Sequence, residues 1–111
     1  LPIKEQEPVQ EKPMLNSFSM EKIKKFSSLP KKEPTTNIRR LSNRVIYEIN
    51  IPGVESIRDI SIIKLEKSIE IKAVSKDTAY AKIIPIDLPI RKYKLENEKL
   101  ILELGLKEDI N

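Results

Sequence analysis

Side chains able to carry out covalent or acid–base chemistry are few in this 111-residue chain, because it contains neither His nor Cys. Their absence removes thiolate nucleophiles, Ser-His-Asp triads, the usual zinc sites and disulfides together. Acid–base work would fall to carboxylates, which must converge on one cleft to divide the acid and base roles. Glu48, Glu70, Asp87 and Glu103 instead alternate with apolar neighbours. They read as the wet face of strands, so no catalysis, cofactor or metal is expected.

Two serines fit kinase patterns. Arg39-Arg40-Leu41-Ser42 matches a basophilic motif that would place negative charge at the mouth of the first strand. Ser56-Ile57-Arg58-Asp59 fits an acidophilic one, although a turn-forming Ser ahead of a strand explains it at least as well. Matches this short arise often by chance, and neither is expected to be regulatory.

The elements that position these groups are short strands. In Val45-Ile-Tyr-Glu-Ile-Asn-Ile-Pro-Gly-Val54, Val45, Tyr47, Ile49 and Ile51 share one face at period two while Glu48 and Asn50 point the other way. Pro52 presets the first corner of a turn, and Gly53 supplies the positive φ that the second corner of a type II turn needs. Ile69, Ile71 and Ala73 alternate again, then Tyr80 to Leu88, then Leu100, Leu102 and Leu104. Pro85 lacks a backbone donor, so the Tyr80–Leu88 strand is expected at a sheet edge or a bulge. Ile60-Ser-Ile-Ile-Lys-Leu65 is two-sided, with Ile60 and Ile62 facing one way and Ile63 and Leu65 the other. In a two-layer sandwich one apolar pair must then leave the core. Either the arm or a bulge after Ile62 buries all four, or the outward pair belongs to a partner-binding groove.

Charge divides the chain unevenly. Residues 1–40 hold nine of the 21 Lys and Arg and five of the 17 Asp and Glu, so the whole net charge of +4 belongs to them; residues 41–111 carry twelve of each sign. A nucleic-acid-binding domain would concentrate basic residues on its folded surface beside stacking aromatics. Here the folded part is neutral, and nucleic-acid binding is not expected. No apolar run approaches the roughly 20 residues of a membrane helix, and the chain reads as soluble and intracellular.

Five of the eight prolines (Pro2, Pro8, Pro13, Pro30, Pro34) lie in residues 1–40 among Lys, Glu, Gln and Ser. Such a mixture buries too little apolar area to offset chain entropy, so 1–40 reads as a disordered basic linker ahead of a domain over 41–111. One island stands out, a short helix near 17–27 capped by Ser17 or Ser19, with Leu15, Phe18, Ile23 and Phe26 along one side. It could dock on a partner, remain transient, or pack back onto the domain.

Taken together, Ile51-Pro-Gly-Val54, Asp59-Ile60-x-Ile62, Ile69-x-Ile71-x-Ala73, Tyr80 leading to Ile86-Asp-Leu88-Pro89, and Leu100-Ile-Leu-Glu-Leu104 resemble the CS and α-crystallin superfamily, over roughly Arg44 to Leu106. The resemblance implies an all-β, seven-or-so-stranded antiparallel β-sandwich. It also implies a groove that accepts an extended apolar peptide, with Ile60, Ile62, Ile63 and Leu65 on one side and Tyr93 and Leu95 on the other. Three features depart from the small heat-shock branch: only Val74 to Ala79 intervenes where that branch has a long strand-exchanging loop, Glu98 stands where it has Gly, and no Ile-x-Ile tail follows Leu106.

The chain is therefore more similar to the CS-like C-terminal domain of PIH-family adaptors, which link heat-shock protein 90 to RuvB-like ATPases. By that resemblance the partner is the tail of a Tah-type TPR co-chaperone. The function implied is assembly of small nucleolar ribonucleoproteins and large kinases, in cytoplasm and nucleus, by a protein that is monomeric alone and heterodimeric with its partner. A chain opening at Leu1 without Met fits an excised fragment of such an adaptor. A small heat-shock-type holdase is the alternative.

Overall fold

The computed structural model describes residues 14 to 105, and among these the elements run β1 (Met14–Asn16), α1 (Met20–Ser28), β2 (Lys31–Lys32), β3 (Thr36–Arg40), β4 (Arg44–Asn50), a 3-10 turn (Ile57–Asp59), β5 (Ile60–Lys64), β6 (Ile69–Val74), β7 (Ala79–Ile84), β8 (Ile90–Glu96) and β9 (Lys99–Gly105). Two sheets face each other, one ordered β1-β5-β6-β7-β2 and the other β3-β4-β9-β8. All pairings are antiparallel except the two-residue contact of β2 with β7. The expected all-β sandwich is thus what the chain forms.

Period two explains the core. Val45, Tyr47 and Ile49 of β4 stand opposite Leu104, Leu102 and Leu100 of β9, and β8 sets Tyr93 and Leu95 beside Leu102 and Leu100. From the facing sheet, Ile60, Ile62, Ile69, Ile71, Ala73, Tyr80 and Ile84 complete one cluster. Two lysines occupy inward positions at its margins. Lys64 pairs across from Ile69, and Lys82 from Ile71. Each ammonium escapes sideways, Lys64 toward Asp87 at 3.9 Å and Lys82 onto Glu33 at 2.9 Å. Both charges thus reach solvent without entering the cluster.

The Pro-Gly corner forms as its residues dictate. The Val54 amide donates to the Ile51 carbonyl at 3.1 Å, and Gly53 sits at φ +90°, the geometry of a type II turn. Across from it, the β8–β9 hairpin turns on Asn97 and Glu98, at φ +52° and +61°. Glu98 takes this left-handed conformation where the resembling branch has Gly, and its carboxylate accepts the Gly53 amide at 3.1 Å while its carbonyl accepts the Ile51 amide at 3.0 Å. The residue therefore joins two turns that a glycine could not link through a side chain. Glu98→Ala keeps the backbone strain and loses the acceptor, with an expected cost of about 1 kcal/mol. Glu98→Gly relieves strain of similar size, so its stability by chemical denaturation should stay within about 0.5 kcal/mol of the unaltered chain. Nearby, the buried Tyr80 hydroxyl donates to the Pro52 carbonyl at 2.8 Å. Burial first, then the charges of Asp77 and Glu98, raise its pKa.

Three expectations change. The strand predicted for Tyr80–Leu88 ends at Ile84, because Pro85 has no amide to continue the ladder; the Ile86 amide donates back to the Ile84 carbonyl, and Ile86 and Leu88 lean on the core from the connection to β8. That strand is an edge only along its second half, since β2 covers Ala79 and Tyr80. Residues 14–40, read as a disordered linker with a short helix near 17–27, hold that helix as α1 and also β1, β2 and β3. The rest of the arm, residues 1–13, and residues 106–111 lie outside the described residues.

Candidate partner-binding edge

The six residues expected to form a groove do not all meet. Ile60 and Ile62 are fully buried core, and Tyr93 and Leu95 pack against the same cluster from β8. Ile63 lies on the outer face of β5, half-buried, and Leu65 falls beyond the strand at 44% exposure, its amide turned onto the Ser68 carbonyl at 2.8 Å. The β5–β6 ladder runs without a register shift. A bulge after Ile62 therefore does not restore the alternation, and Ile60, Ile62, Tyr93 and Leu95 share the interlayer space while Ile63 and Leu65 stand outside it.

The relative placement of the sheets decides which edges adjoin. Thr36, Ile38 and Tyr47 of β3 and β4 line one cleft with Ile83, Ile84 and Pro85. That puts β7 alongside β3 and β4, so β5 falls on the β8 side. The Lys64–Asp87 pair ties β5 to the segment that leads into β8.

The β5 edge is not bare. β1 adds to it antiparallel, Met14 opposite Ile63 and Asn16 opposite Ile62, with a shift in register between them. The Asn16 side-chain amide donates to the Ile57 carbonyl at 2.8 Å and the Ile60 carbonyl at 2.6 Å. From there the chain crosses the outer face of the sheet as α1, capped by Ser19, whose hydroxyl accepts the Lys22 amide at 3.2 Å. Lys22 pairs with Asp59, and the Phe26 ring lies beneath the ammonium groups of Lys31 and Lys72, at 5.0 and 5.3 Å. β2 then pairs with β7 at the far edge.

The helix expected near 17–27 forms as α1 and lies on the sheet, one of the outcomes open to it. α1 begins at Met20, so Leu15 belongs to β1, with its side chain outside the described set, and Phe18 precedes the cap. Phe18 and Phe26 approach with ring centroids 6.1 Å apart, whereas Ile23 is 49% exposed. Ile23 and Phe26 thus lie on α1 itself, and Phe18 meets Phe26 from ahead of it. Of the strap, the helix was legible and packing back onto the domain was one of its three expected outcomes; β1 and β2 were missed, because strands of three and two residues carry no periodicity.

The carboxylates behave as surface groups. Glu48 and Glu103 line a shallow basin of about 440 Å³ on the outer face of the second sheet, with Arg39, Lys94, Ile46 and Ile101. Glu103 lies 4.0 Å from the Arg44 Nε and 3.7 Å from the Lys92 Nζ. Carboxylates interleaved with cations in an open basin form solvated ion pairs, each contributing about 0–1 kcal/mol. No group of three or more Asp, Glu, His or Cys that could hold a metal occurs among the described residues.

No protein-family model matches the chain, and no curated protein matches it either. Solved structures do. Heat shock protein 16.0 from Schizosaccharomyces pombe superposes with a TM-score of 0.58 at 15% identity, over 84% of this chain and 78% of that one. HSP18.5 from E. histolytica gives 0.58 at 10% identity, over 72% and 93%. The small heat shock protein AgsA from Salmonella typhimurium, truncated at both termini, gives 0.55 at 13% identity, over 68% and 100%. The chain shares with them the α-crystallin-type sandwich.

Proposed function

We propose that this domain is a non-catalytic protein-interaction module that captures an extended segment of another polypeptide along β5, on the side facing β8. One observation carries the reading: the β5 edge accepts an extended strand, here the chain's own Met14–Asn16. Backbone pairing of this kind supplies affinity, and the half-buried, outward Ile63 offers the incoming strand an apolar side chain to pack against. In the finer form of the proposal, the domain is the CS-like part of a PIH-type co-chaperone adaptor. Its ligand is then the tail of a TPR co-chaperone, and it serves assembly of ribonucleoprotein and kinase complexes with heat-shock protein 90 and RuvB-like ATPases. The short Ser75–Thr78 turn between β6 and β7 favours the adaptor, because it leaves no long loop for strand exchange between copies.

The likeness to small heat shock proteins favours a second reading, a holdase that binds unfolding clients. Size-exclusion chromatography with light scattering separates the two. An adaptor runs as a monomer that converts to a stoichiometric heterodimer with a TPR-protein tail; a holdase runs as a large assembly. A tail present at about a hundred times its Kd should stabilise the folded domain by about 2.7 kcal/mol. An unchanged melting temperature would refute the adaptor form.

A further inference from the structure

Residues 14–32 hold the first sheet at both edges and cross its outer face, yet each attachment is slight. β1 is three residues long and shifted in register, and β2 pairs through two. No residue of α1 is buried. β5 offers five residues, Ile60–Lys64, all of which pair on their other side with β6. The strap therefore uses only part of an edge that a longer strand could use in full.

From this we infer that residues 14–32 are a built-in competitor for the partner edge: β1 occupies β5 as a surrogate strand, and an incoming segment is accepted only by displacing it. The inference rests on the strand-capture reading of β5 given above. A tethered strand acts at an effective concentration that reaches the millimolar range for short linkers. A free ligand of the same pairing strength consequently loses to it, and its apparent affinity falls by the fraction of molecules in which the edge is open. A segment that pairs along the full length of β5 gains hydrogen bonds that β1 does not make, each with a net worth of about 1 kcal/mol. The strap thus sets a threshold of length and pairing quality. Asn16 is its latch, because its side chain bridges the Ile57 and Ile60 carbonyls in addition to the backbone ladder.

The test uses the full 111-residue chain, isotopically labelled, and a free synthetic peptide of residues 11–18 as the probe. Peptide is titrated while the amide resonances of Ile62, Ile63 and Lys64 are followed. Asn16→Pro removes the latch and an amide donor from β1; Asn16→Ala removes only the latch and keeps the test available should the proline variant fold poorly. The expected result is about tenfold or stronger binding to Asn16→Pro than to the unaltered chain, with Asn16→Ala between them. Equal binding to all three would overturn the competitor role while leaving strand capture intact. No binding to any of them would overturn strand capture at β5, and the competitor role with it.

Discussion

Ile62→Asp is expected to leave no folded protein at 25 °C, whereas Ile63→Asp, one residue along the same strand, leaves the sandwich folded and abolishes partner capture. Ile62 is fully buried between the layers. Truncation of such a side chain alone costs about 2–5 kcal/mol, and a carboxylate stranded among Ile60, Ile71 and their neighbours adds several more. A domain of this size has about 5–15 kcal/mol to lose. Ile63 faces outward and half-exposed, where a charge can remain hydrated in the free protein. It stands opposite Met14 in the β1–β5 pairing, so an apolar strand added there would desolvate the new carboxylate. A penalty of about 3 kcal/mol corresponds to a loss of roughly a hundredfold or more in affinity. Circular dichroism reports the fold and calorimetric titration the capture. Unfolding of both variants would place Ile63 in the core and remove β5 as a docking strand.

Leu102→Ala is expected to cost about 3 kcal/mol and lower the melting temperature by roughly 10–20 °C. Leu102 has no exposure and lies at the middle of β9, with Tyr47 of β4 on one side and Tyr93 of β8 on the other. Little can collapse into the space it leaves, since both neighbouring strands are fixed along their length. Ile101, next in sequence, points into the open basin on the outer face, and Ile101→Ala should cost less than about 1 kcal/mol. Thermal melts of the two variants make the comparison. Equal costs would mean that the outer face of this sheet is covered in solution.

Much of the sandwich was legible because one-sided strands announce themselves. β4, β6 and β9 carry clean alternation, and the Pro52-Gly53 corner fixes its own turn type. β5 was legible as two-sided but not in consequence: Ile60-Ser-Ile-Ile-Lys-Leu leaves open whether Ile63 turns in, and the answer depends on register with β6. Lys64 hid the inward face at its margin, because a lysine at an inward position reads locally as solvent-facing, whereas Lys82 shares period two with Tyr80 and Ile84. Tyr80–Leu88 looked continuous since Ile84, Ile86 and Leu88 keep period two through Pro85, although the hydrogen-bond ladder cannot. The two strand contacts of the strap were illegible for a different reason. Asn16 reaches carbonyls more than forty residues away, and Lys31 and Lys32 pair with Ala79 and Tyr80. Neither relation leaves a trace in the neighbouring sequence, so the arm's return to the domain stood only as one alternative for the helix near 17–27, with no edge assigned to its flanks.

The way α1 is fastened makes the two halves of this molecule respond to different solvents. The sandwich is held by apolar side chains, which salt does not weaken. The helix is held by a partly exposed lysine–aspartate pair and by ammonium groups over one phenyl ring. Screening lengths shrink to about 8 Å at physiological ionic strength and about 3 Å at 1 M. Dissolved ions therefore reach the buckle and spare the body, so the electrolyte around the domain can set how readily its side is uncovered without touching whether it is folded.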